Sequence, residues 1–256
     1  MSRIASAFNH SKAFIGFVTG GDPTLDKSEE FILEMVRAGA DLVEIGIPFS
    51  DPIAEGVTIQ AANIRALANG ATVDGCFELA RRVRAKTDVP LVFLTYLNPV
   101  FHRGYEKFFA DCSESGVDGV IVPDLPYEEQ GEAKPIAAKY GVDLISLIAP
   151  TSEARIAEIA KNATGFIYVV SSMGVTGVRS EITTDLKSII AQIRKVTTVP
   201  AAIGFGISTS GQAHAMSTYA DGVIVGSAIV KLCEKYGGNA GAHIYEYVKE
   251  MKGAVG

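Results

Sequence analysis

Eight short apolar runs, separated by longer amphipathic stretches, extend along the 256-residue sequence from near its start to near its end. The runs are rich in β-branched residues and too short for helices, so each is predicted to form a strand. They are apolar throughout rather than alternating, which indicates burial on both faces and therefore a parallel sheet with crossover helices. The predicted strands lie at 14–20, 41–47, 90–96, 116–124, 142–150, 165–172, 200–206 and 221–227.

The stretches between the strands have helical periodicity, and most end at Gly or at a Pro that starts the next strand. Eight such units in this length predict an α/β fold, a single (β/α)8 TIM barrel forming one domain over 1–256. The alternative, an open doubly wound sheet, would need a G-x-G-x-x-G turn after the first strand, where residues 19–24 read TGGDPT. A short N-terminal helix is expected at 2–10, and an extra C-terminal helix after Gly237-Gly238.

Charge and cysteine content exclude several classes of function. The formal net charge is −6 without a basic run, so neither nucleic acid nor an anionic membrane is an expected partner. Cys76, Cys112 and Cys233 lack the spacing of a zinc site or a redox motif, which is typical of reduced packing residues. The N-terminus lacks the apolar core of a signal peptide, and no run approaches the roughly 20 apolar residues of a membrane span. We therefore expect a cytoplasmic protein.

Three carboxylates lie near the carboxyl ends of predicted strands, where the active site of such a barrel is expected. Glu44 is within the second strand, Glu55 is in the loop predicted over 48–60, and Asp124 closes the fourth strand. A carboxylate buried as Glu44 would be loses hydration, which raises its pKa and suits a general acid or base near neutral pH. The alternative is a structural Glu44 with a salt-bridge partner inside the barrel. Glu55 alone could equally be a solvated loop residue.

Glycines end the last two predicted strands: Gly204 and Gly206 end the seventh, and Gly226, followed by Ser227, ends the eighth. Barrels commonly bind phosphate there, because unpaired N–H groups and a helix dipole converge on the anion. Glycine allows the backbone a close approach, although it also serves in ordinary turns. The pattern predicts a small phosphorylated substrate.

The segment over 171–185, after the sixth strand, is long and rich in Gly and polar residues. This makeup is typical of a mobile lid over a site, or of a plain connector. Phe17, Tyr96 and Tyr168 lie near strand ends and could line an aromatic pocket, or could be ordinary core residues.

Six motifs, in the same order, make the chain resemble the tryptophan synthase alpha subunit family over essentially its whole length. The resemblance implies a barrel that cleaves indole-3-glycerol phosphate to indole and glyceraldehyde 3-phosphate, and a partner beta subunit that carries pyridoxal phosphate and receives the indole. The motifs are FVTGGDP (17–23), VEIGIPFSDPIAEGVTIQ (43–60), PDLPYEE (123–129), SSMGVTG (171–177), GFGIS (204–208) and GSAIVK (226–231).

The resemblance assigns the family's catalytic glutamate to Glu44 and its second carboxylate, usually Asp, to Glu55. Glu55 keeps the carboxylate and adds a methylene, while Val57 stands where the family usually has Pro, which removes a φ restraint. We expect activity to survive both departures. By the same resemblance, substrate-binding positions are Phe17, Ile59, Tyr96, Asp124, Tyr168 and Thr176, and phosphate-binding positions are Gly177, Gly206, Gly226 and Ser227.

The implied reaction is a retro-aldol cleavage in which the protonated indole ring is the electron sink, so no cofactor or metal is expected in this subunit. The four histidines, His10, His102, His214 and His243, do not have the spacing of a ligand set. Glu44 is expected to protonate indole C3 and to take the hydroxyl proton, and Glu55 to accept the indole N–H.

The expected assembly is the αββα heterotetramer of the family, with a partner surface that includes Pro48, Asp51, Asn98 and Pro126. Two alternatives remain at this point. One is another phosphate-binding barrel isomerase or lyase, and the other is an alpha-like subunit with weakened cleavage.

Overall fold

Nine parallel strand segments form one sheet in the computed structural model, which describes residues 3–170, 185–204 and 206–256. Their order in the sheet is β5-β4-β3-β2-β1-β9-β8-β7-β6. The strands are β1 (Ala13–Thr19), β2 (Leu42–Gly46), β3 (Leu91–Leu94), β4 (Gly119–Ile121), β5 (Asp143–Leu144), β6 (Ser146–Ile148), β7 (Ile167–Val170), β8 (Ala201–Gly204) and β9 (Gly222–Val225).

The sheet closes through its fifth predicted strand, 142–150, which contains both β5 and β6. These two segments lie at opposite ends of the strand order, yet Ile145 alone separates them along the chain. β5 pairs with β4, and β6 pairs with β7. The predicted (β/α)8 barrel is therefore confirmed, and the open doubly wound sheet is excluded.

Helices surround the sheet, and within the described ranges none is long and apolar enough to cross a membrane. They are α1 (Leu25–Arg37), α2 (Val57–Ala68), α3 (Val73–Arg84), α4 (Leu97–Arg103), α5 (Tyr105–Ser115), α6 (Ala133–Lys139), α7 (Glu153–Lys161), α8 (Leu186–Arg194), α9 (Ser210–Ser217), α10 (Ser227–Tyr236) and α11 (Gly241–Val255). Short 3₁₀ segments cover Arg3–Phe8, Tyr127–Glu129 and Gly237–Asn239.

Both faces of the strands are apolar, as the continuous hydrophobic runs predict. Alternate residues of a strand point to opposite sides of the sheet. Ala13 and Ile15 of β1 join Leu42 of β2 in a cluster inside the barrel. Phe14 and Val18 belong instead to the larger cluster beneath the helices.

Helix α2 begins earlier than the sequence indicates. A loop is predicted over 48–60, but the chain is helical from Val57 onward. The helical periodicity is blurred because the solvent side of α2 carries the exposed Val57 and Ile64, while its buried side carries the polar Asn63 beside Ile59.

The two terminal elements complete the amino-terminal end of the barrel. The expected short N-terminal helix is the 3₁₀ segment, and its Ile4 is fully buried in the cluster inside the barrel. The expected extra C-terminal helix is α11. Its Lys252 Nζ donates to Asp41 Oδ2 at 2.8 Å and to the Lys12 carbonyl at 2.9 Å, which fastens α11 beside β1 and β2.

Three aspartates brace this same end, each directly before a strand, β2, β4 or β9. Each carboxylate accepts the N–H of a residue at or next to the start of a neighbouring strand and also pairs with a Lys or Arg side chain, so it joins two strands and an outer cation. The backbone bonds are Phe14 N to Asp41 at 2.7 Å, Leu91 N to Asp118 at 2.9 Å and Ala201 N to Asp221 at 2.8 Å; the paired cations are Lys252, Arg84 and Arg194.

Replacing Asp118, the most connected of the three, is expected to destabilise the fold strongly. The Asp118→Ala change leaves the half-buried Arg84 and the buried Leu91 N–H without their partner and also removes the bond from Arg3 at 3.0 Å. We expect the free energy of unfolding to fall by about 3–5 kcal/mol, measured by urea denaturation followed by circular dichroism.

The matched control is Asp74→Ala, because Asp74 also pairs with an arginine, Arg103, but its side chain is 80% exposed. A loss below about 1 kcal/mol is expected there. Equal losses for the two variants would show that Asp118 does not brace the barrel.

Candidate active site

Glu44 lies inside the barrel, in the middle of β2. Its neighbours Val43 and Ile45 pack outward beneath the helices, so the alternation of the strand turns Glu44 inward. The residue is 1% exposed, and its Oε1 has no hydrogen-bond partner among the described residues. Burial raises the pKa of Glu44 to about 8. The carboxyl group is therefore mostly protonated at neutral pH and can still exchange its proton there.

Tyr168 of β7 also points into the barrel, where the charge of Glu44 acts on it. Burial, and then the Glu44 charge, raise the pKa of Tyr168 well above its usual range. The Tyr168 hydroxyl lies against Gly204 of β8, so close that a Cβ on Gly204 would be 2.3 Å from it. A glycine at this position makes room for the tyrosine.

Glu55 lies in the loop between β2 and α2 and is buried. Its Oε2 accepts a hydrogen bond from Asn63 Nδ2 at 2.6 Å, and its main-chain carbonyl accepts one from Gln60 Nε2 at 2.7 Å. Burial raises the pKa of Glu55 to about 7, while hydrogen bonds from Asn63 and Tyr96 oppose that rise. Glu55 therefore loses its proton more readily than Glu44.

Tyr96, the residue before α4, fixes the loop that carries Glu55. Its hydroxyl accepts the Ala54 N–H at 3.2 Å, and its ring stacks on Phe49 with centroids 5.5 Å apart. The next residue, Leu97, donates its N–H to Asp124 Oδ1 at 2.8 Å. The ends of β2, β3 and β4 are thus joined at the mouth of the barrel, and Tyr96 and Asp124 lie within that junction.

Phe17 of β1 and Ile59 of α2 form an apolar wall with Val230 of α10. The Phe17 ring lies across β2, where a Cβ on Gly46 would be 2.6 Å from its Cζ. On its other side, a Cβ on Gly226 would be 3.5 Å from the Phe17 Cβ. Phe17 therefore lies between the strand of Glu44 and the start of α10.

The glycines at the ends of β8 and β9 are adjacent, because these strands pair with Ala202 opposite Gly222. Gly206 has φ +90°, a conformation that favours glycine. Gly226 is the N-cap of α10 and Ser227 is its first residue. Backbone N–H groups at a helix start, with the helix dipole behind them, are suited to an anion.

Residues outside the predicted set hold the segment after Gly206. The Tyr247 hydroxyl on α11 donates to the Ser208 carbonyl at 2.9 Å. Gln212 Oε1 on α9 accepts the N–H groups of Ser208 and Thr209 at 2.9 and 3.2 Å. Thr209 and Gln212 form the T-x-x-Q capping box at the start of α9, which is the sequence signal for the Gln212 contact. No motif indicates the Tyr247 contact, because it joins residues far apart in the chain.

Two of the predicted site residues, Thr176 and Gly177, lie outside the described residues, as does most of the 171–185 segment. Within the described ranges, no group of three or more His, Cys, Asp or Glu side chains converges as a metal site would require.

Asn63 is the polar contact of the site that the sequence analysis missed. A signal for it exists, because Ile59, Ala62, Asn63 and Ala66 fall on one face of α2 by helical spacing. A lone amide on an otherwise apolar face indicates a buried polar partner. That partner is Glu55.

The backbone at Val57 explains why the family's proline is dispensable here. Val57 is the first residue of α2, where proline is well tolerated because its N–H would lie outside the helical bonding pattern. Gly56 has φ −84° and ψ 171°, which is compatible with a following proline. Valine thus removes a restraint on the chain without requiring a different path.

Comparisons with known proteins agree with this geometry. The family model described as "Tryptophan synthase alpha chain" matches residues 5–255. The tryptophan synthase alpha chain of Lactiplantibacillus plantarum is 51% identical, with 100% of this chain and 97% of that protein covered. The one from Lacticaseibacillus casei is 49% identical, with 100% and 96% covered.

Solved structures give the same result. The alpha chain from Legionella pneumophila superposes with a TM-score of 0.89 at 32% identity, covering 100% of this chain and 97% of that one. A chain of the tryptophan synthase complex from Pyrococcus furiosus superposes with a TM-score of 0.87 at 34% identity, covering 95% and 98%. The chain therefore belongs to the tryptophan synthase alpha chain family, the lyases of tryptophan biosynthesis that cleave indole-3-glycerol phosphate.

Proposed function

We propose that Glu44 and Glu55 divide the acid–base work of indole-3-glycerol phosphate cleavage between them. The observation that carries this proposal is their placement: Glu44 is buried inside the barrel with its Oε1 unpartnered among the described residues, whereas the buried Glu55 accepts a hydrogen bond from Asn63 at 2.6 Å. Burial raises the pKa of Glu44 to about 8 and that of Glu55 to about 7, so near neutral pH Glu44 is the better proton donor and Glu55 the more readily ionised carboxyl group. A proton donor and a charge stabiliser are thereby available in one site.

The reaction then proceeds with every proton accounted for. Glu44 gives its proton to indole C3, and the ring electron pair that forms the new C–H bond leaves positive charge at the indole nitrogen. Glu55, as a carboxylate, accepts the N–H hydrogen bond and stabilises this charge. The ionised Glu44 takes the side-chain hydroxyl proton, the C–C bond breaks, and its electrons return to the ring. Indole and glyceraldehyde 3-phosphate result.

The remaining proposed contacts hold the substrate in register. Phosphate binding at Gly206, Gly226 and Ser227 is remote from the broken bond, so its binding energy can be used for orientation. Gly177 would complete this group by resemblance. The indole pocket is proposed to comprise Phe17, Ile59, Tyr96, Asp124, Tyr168 and Thr176.

The proposed partner is a tryptophan synthase beta subunit, in an αββα heterotetramer, and pyridoxal phosphate is assigned to that partner. Support comes from the Pyrococcus furiosus relative, which was solved as part of a tryptophan synthase complex. The proposed cleavage uses only the side chains of this chain and the indole ring, without a cofactor in this subunit. We also propose one domain over 1–256 and a cytoplasmic location, as suits a biosynthetic enzyme.

An assay of indole-3-glycerol phosphate cleavage, with and without a beta subunit, tests the whole proposal. We expect indole release that increases when the beta subunit is added. Absence of cleavage in both conditions, with beta-subunit binding retained, would instead identify an alpha-like subunit that lost its activity. Turnover of a sugar phosphate, with no cleavage of indole-3-glycerol phosphate, would identify a different barrel enzyme.

The dependence of kcat/KM on pH is expected to be bell-shaped with a maximum between about 7 and about 8. Activity falls below this range because Glu55 takes up a proton, and above it because Glu44 loses one. The two apparent values belong to the interacting pair. Steady-state rates over pH 5.5 to 9.5 provide the measurement.

The Glu55→Gln variant should lose the acidic limb near 7 and keep only a weaker one near pH 6, where a phosphate monoester itself titrates. An acidic limb that stays near 7 in this variant would remove Glu55 from the pH dependence.

The Glu44→Gln variant is expected to bind glycerol 3-phosphate normally and to lose about 10²–10⁴-fold in kcat, since glutamine cannot transfer the proton.

The Glu44→Gln variant should also be more stable than the wild type at high pH. The wild type keeps Glu44 protonated when folded up to pH about 8, whereas the unfolded chain ionises it near 4.5. Wild-type stability is therefore lost as pH rises through this window, and glutamine avoids the loss.

Melting temperatures of both proteins at pH 5 and pH 8 test this second effect. A constant difference between them at the two pH values would contradict the raised pKa, and near wild-type cleavage would contradict the catalytic role.

A further inference from the structure

We propose that Asn63 is a positioning residue that sets both the orientation and the proton affinity of the Glu55 carboxylate. This inference rests on the proposed function, because it concerns the residue that is to accept the indole N–H. Asn63 is not proposed to touch the substrate. It acts through Glu55.

The contact is short and buried on both sides. Asn63 Nδ2 donates to Glu55 Oε2 at 2.6 Å, and Asn63 is 3% exposed. A buried amide whose partner is removed loses a hydrogen bond that water cannot replace. Gln60, one turn earlier on α2, holds the main-chain carbonyl of the same Glu55 at 2.7 Å. Helix α2 thus binds both the side chain and the main chain of Glu55.

Helix α2 is itself fastened near its far end. Arg65 makes two hydrogen bonds to the buried Asp22, after β1, with Nε to Oδ1 at 2.9 Å and Nη2 to Oδ2 at 2.7 Å. Asn69, at the C-cap, donates to the Pro23 carbonyl at 2.9 Å. The position of Asn63 is therefore set by the loop after β1, and Glu55 is held relative to the strand beside its own.

An amide suits this role better than a cation. The chain offers an internal comparison in Glu29, a buried carboxylate on α1 that pairs with Lys86 and Arg82. Those bonds and charges lower the pKa of Glu29 despite the opposing effect of burial. At Glu55, which lies deeper in the protein and has the neutral Asn63 as donor, burial prevails and raises the pKa to about 7. The carboxylate is oriented and still titrates near neutral pH.

Few other charges face Glu55 among the described elements. Tyr96, at the start of α4, donates a hydrogen bond to it, and Asp124, after β4, lies near enough to act on Tyr96. Neither is a cation. The Asn63 bond is therefore expected to account for a large part of the stabilisation of ionised Glu55.

Removing the donor should raise the pKa of Glu55, because the ionised form loses the stronger hydrogen bond. For Asn63→Ala we expect the acidic limb of kcat/KM to move upward by about one pH unit. The Glu55 carboxyl titration, followed by ¹³C NMR with labelled glutamate and assigned through Glu55→Gln, should move by the same amount. Neither midpoint depends on how much of the enzyme is folded.

Two controls separate positioning from a general loss of structure. Asn162→Ala removes an exposed amide at the C-cap of α7, away from α2, and Asp118→Ala destabilises the opposite end of the barrel; both should leave the limb and the titration unchanged. Asn63→Leu keeps the side-chain volume without a donor, and should behave as Asn63→Ala does even if the alanine variant folds poorly.

An unchanged Glu55 titration in folded Asn63→Ala or Asn63→Leu would overturn this inference and leave the proposed function intact. Because the NMR titration needs no substrate, it can also support the role of Asn63 when the proposed reaction itself fails. A shifted titration in a chain that cleaves nothing would support the role of Asn63 and refute the proposed reaction.

Discussion

Closure of the sheet is the constraint on which the chemistry depends. Two strand segments divided only at Ile145 pair with opposite edges of the sheet, so the barrel has no open side. A closed barrel of this size is filled by side chains and excludes water from its interior. Glu44, turned inward on β2, therefore loses hydration, and its Oε1 gains no hydrogen-bond partner among the described residues. Its proton affinity follows from the topology of the sheet rather than from a special neighbour.

Glu55 is buried as Glu44 is, but its pKa is raised less because it lies in a loop with hydrogen-bond donors nearby. Glu44 is fixed by a strand, and burial is the cause of its raised pKa. Glu55 is on a loop that bends back against α2 and Tyr96, whose hydrogen bonds moderate the effect. Two glutamates with the same intrinsic chemistry are thereby separated by roughly one pKa unit. The added methylene of Glu55, relative to the aspartate usual in the family, is accommodated by a partner eight residues later on the adjoining helix.

Most of the fold could be predicted from the sequence, because short, continuous apolar runs that alternate with helical stretches are typical of a parallel sheet buried on both faces. The position of Glu44 could also be predicted, since a charge inside such a run is improbable without a role. Helix α2 could not be delimited, because its exposed Val57 and Ile64 blur the periodicity. Residue spacing indicates that Asn63 and Gln212 have polar partners. It does not indicate that Glu55 is the partner of Asn63, or that Tyr247 binds the Ser208 carbonyl, because these contacts depend on how loops return to helices.

The three aspartates before β2, β4 and β9 stabilise the amino-terminal end of the barrel, called here the floor, which is opposite the mouth where the proposed site lies. At the floor these carboxylates accept strand N–H groups and pair with cations, whereas Glu44 Oε1, further along β2, has no hydrogen-bond partner among the described residues. The residues that brace the strands are therefore different from the residues that carry the proposed chemistry. Loops at the mouth are free to change with substrate or partner, as the Glu55 and Val57 departures illustrate, while the floor preserves the fold. Because contacts at the floor stabilise the fold, substitutions at the mouth can be tolerated.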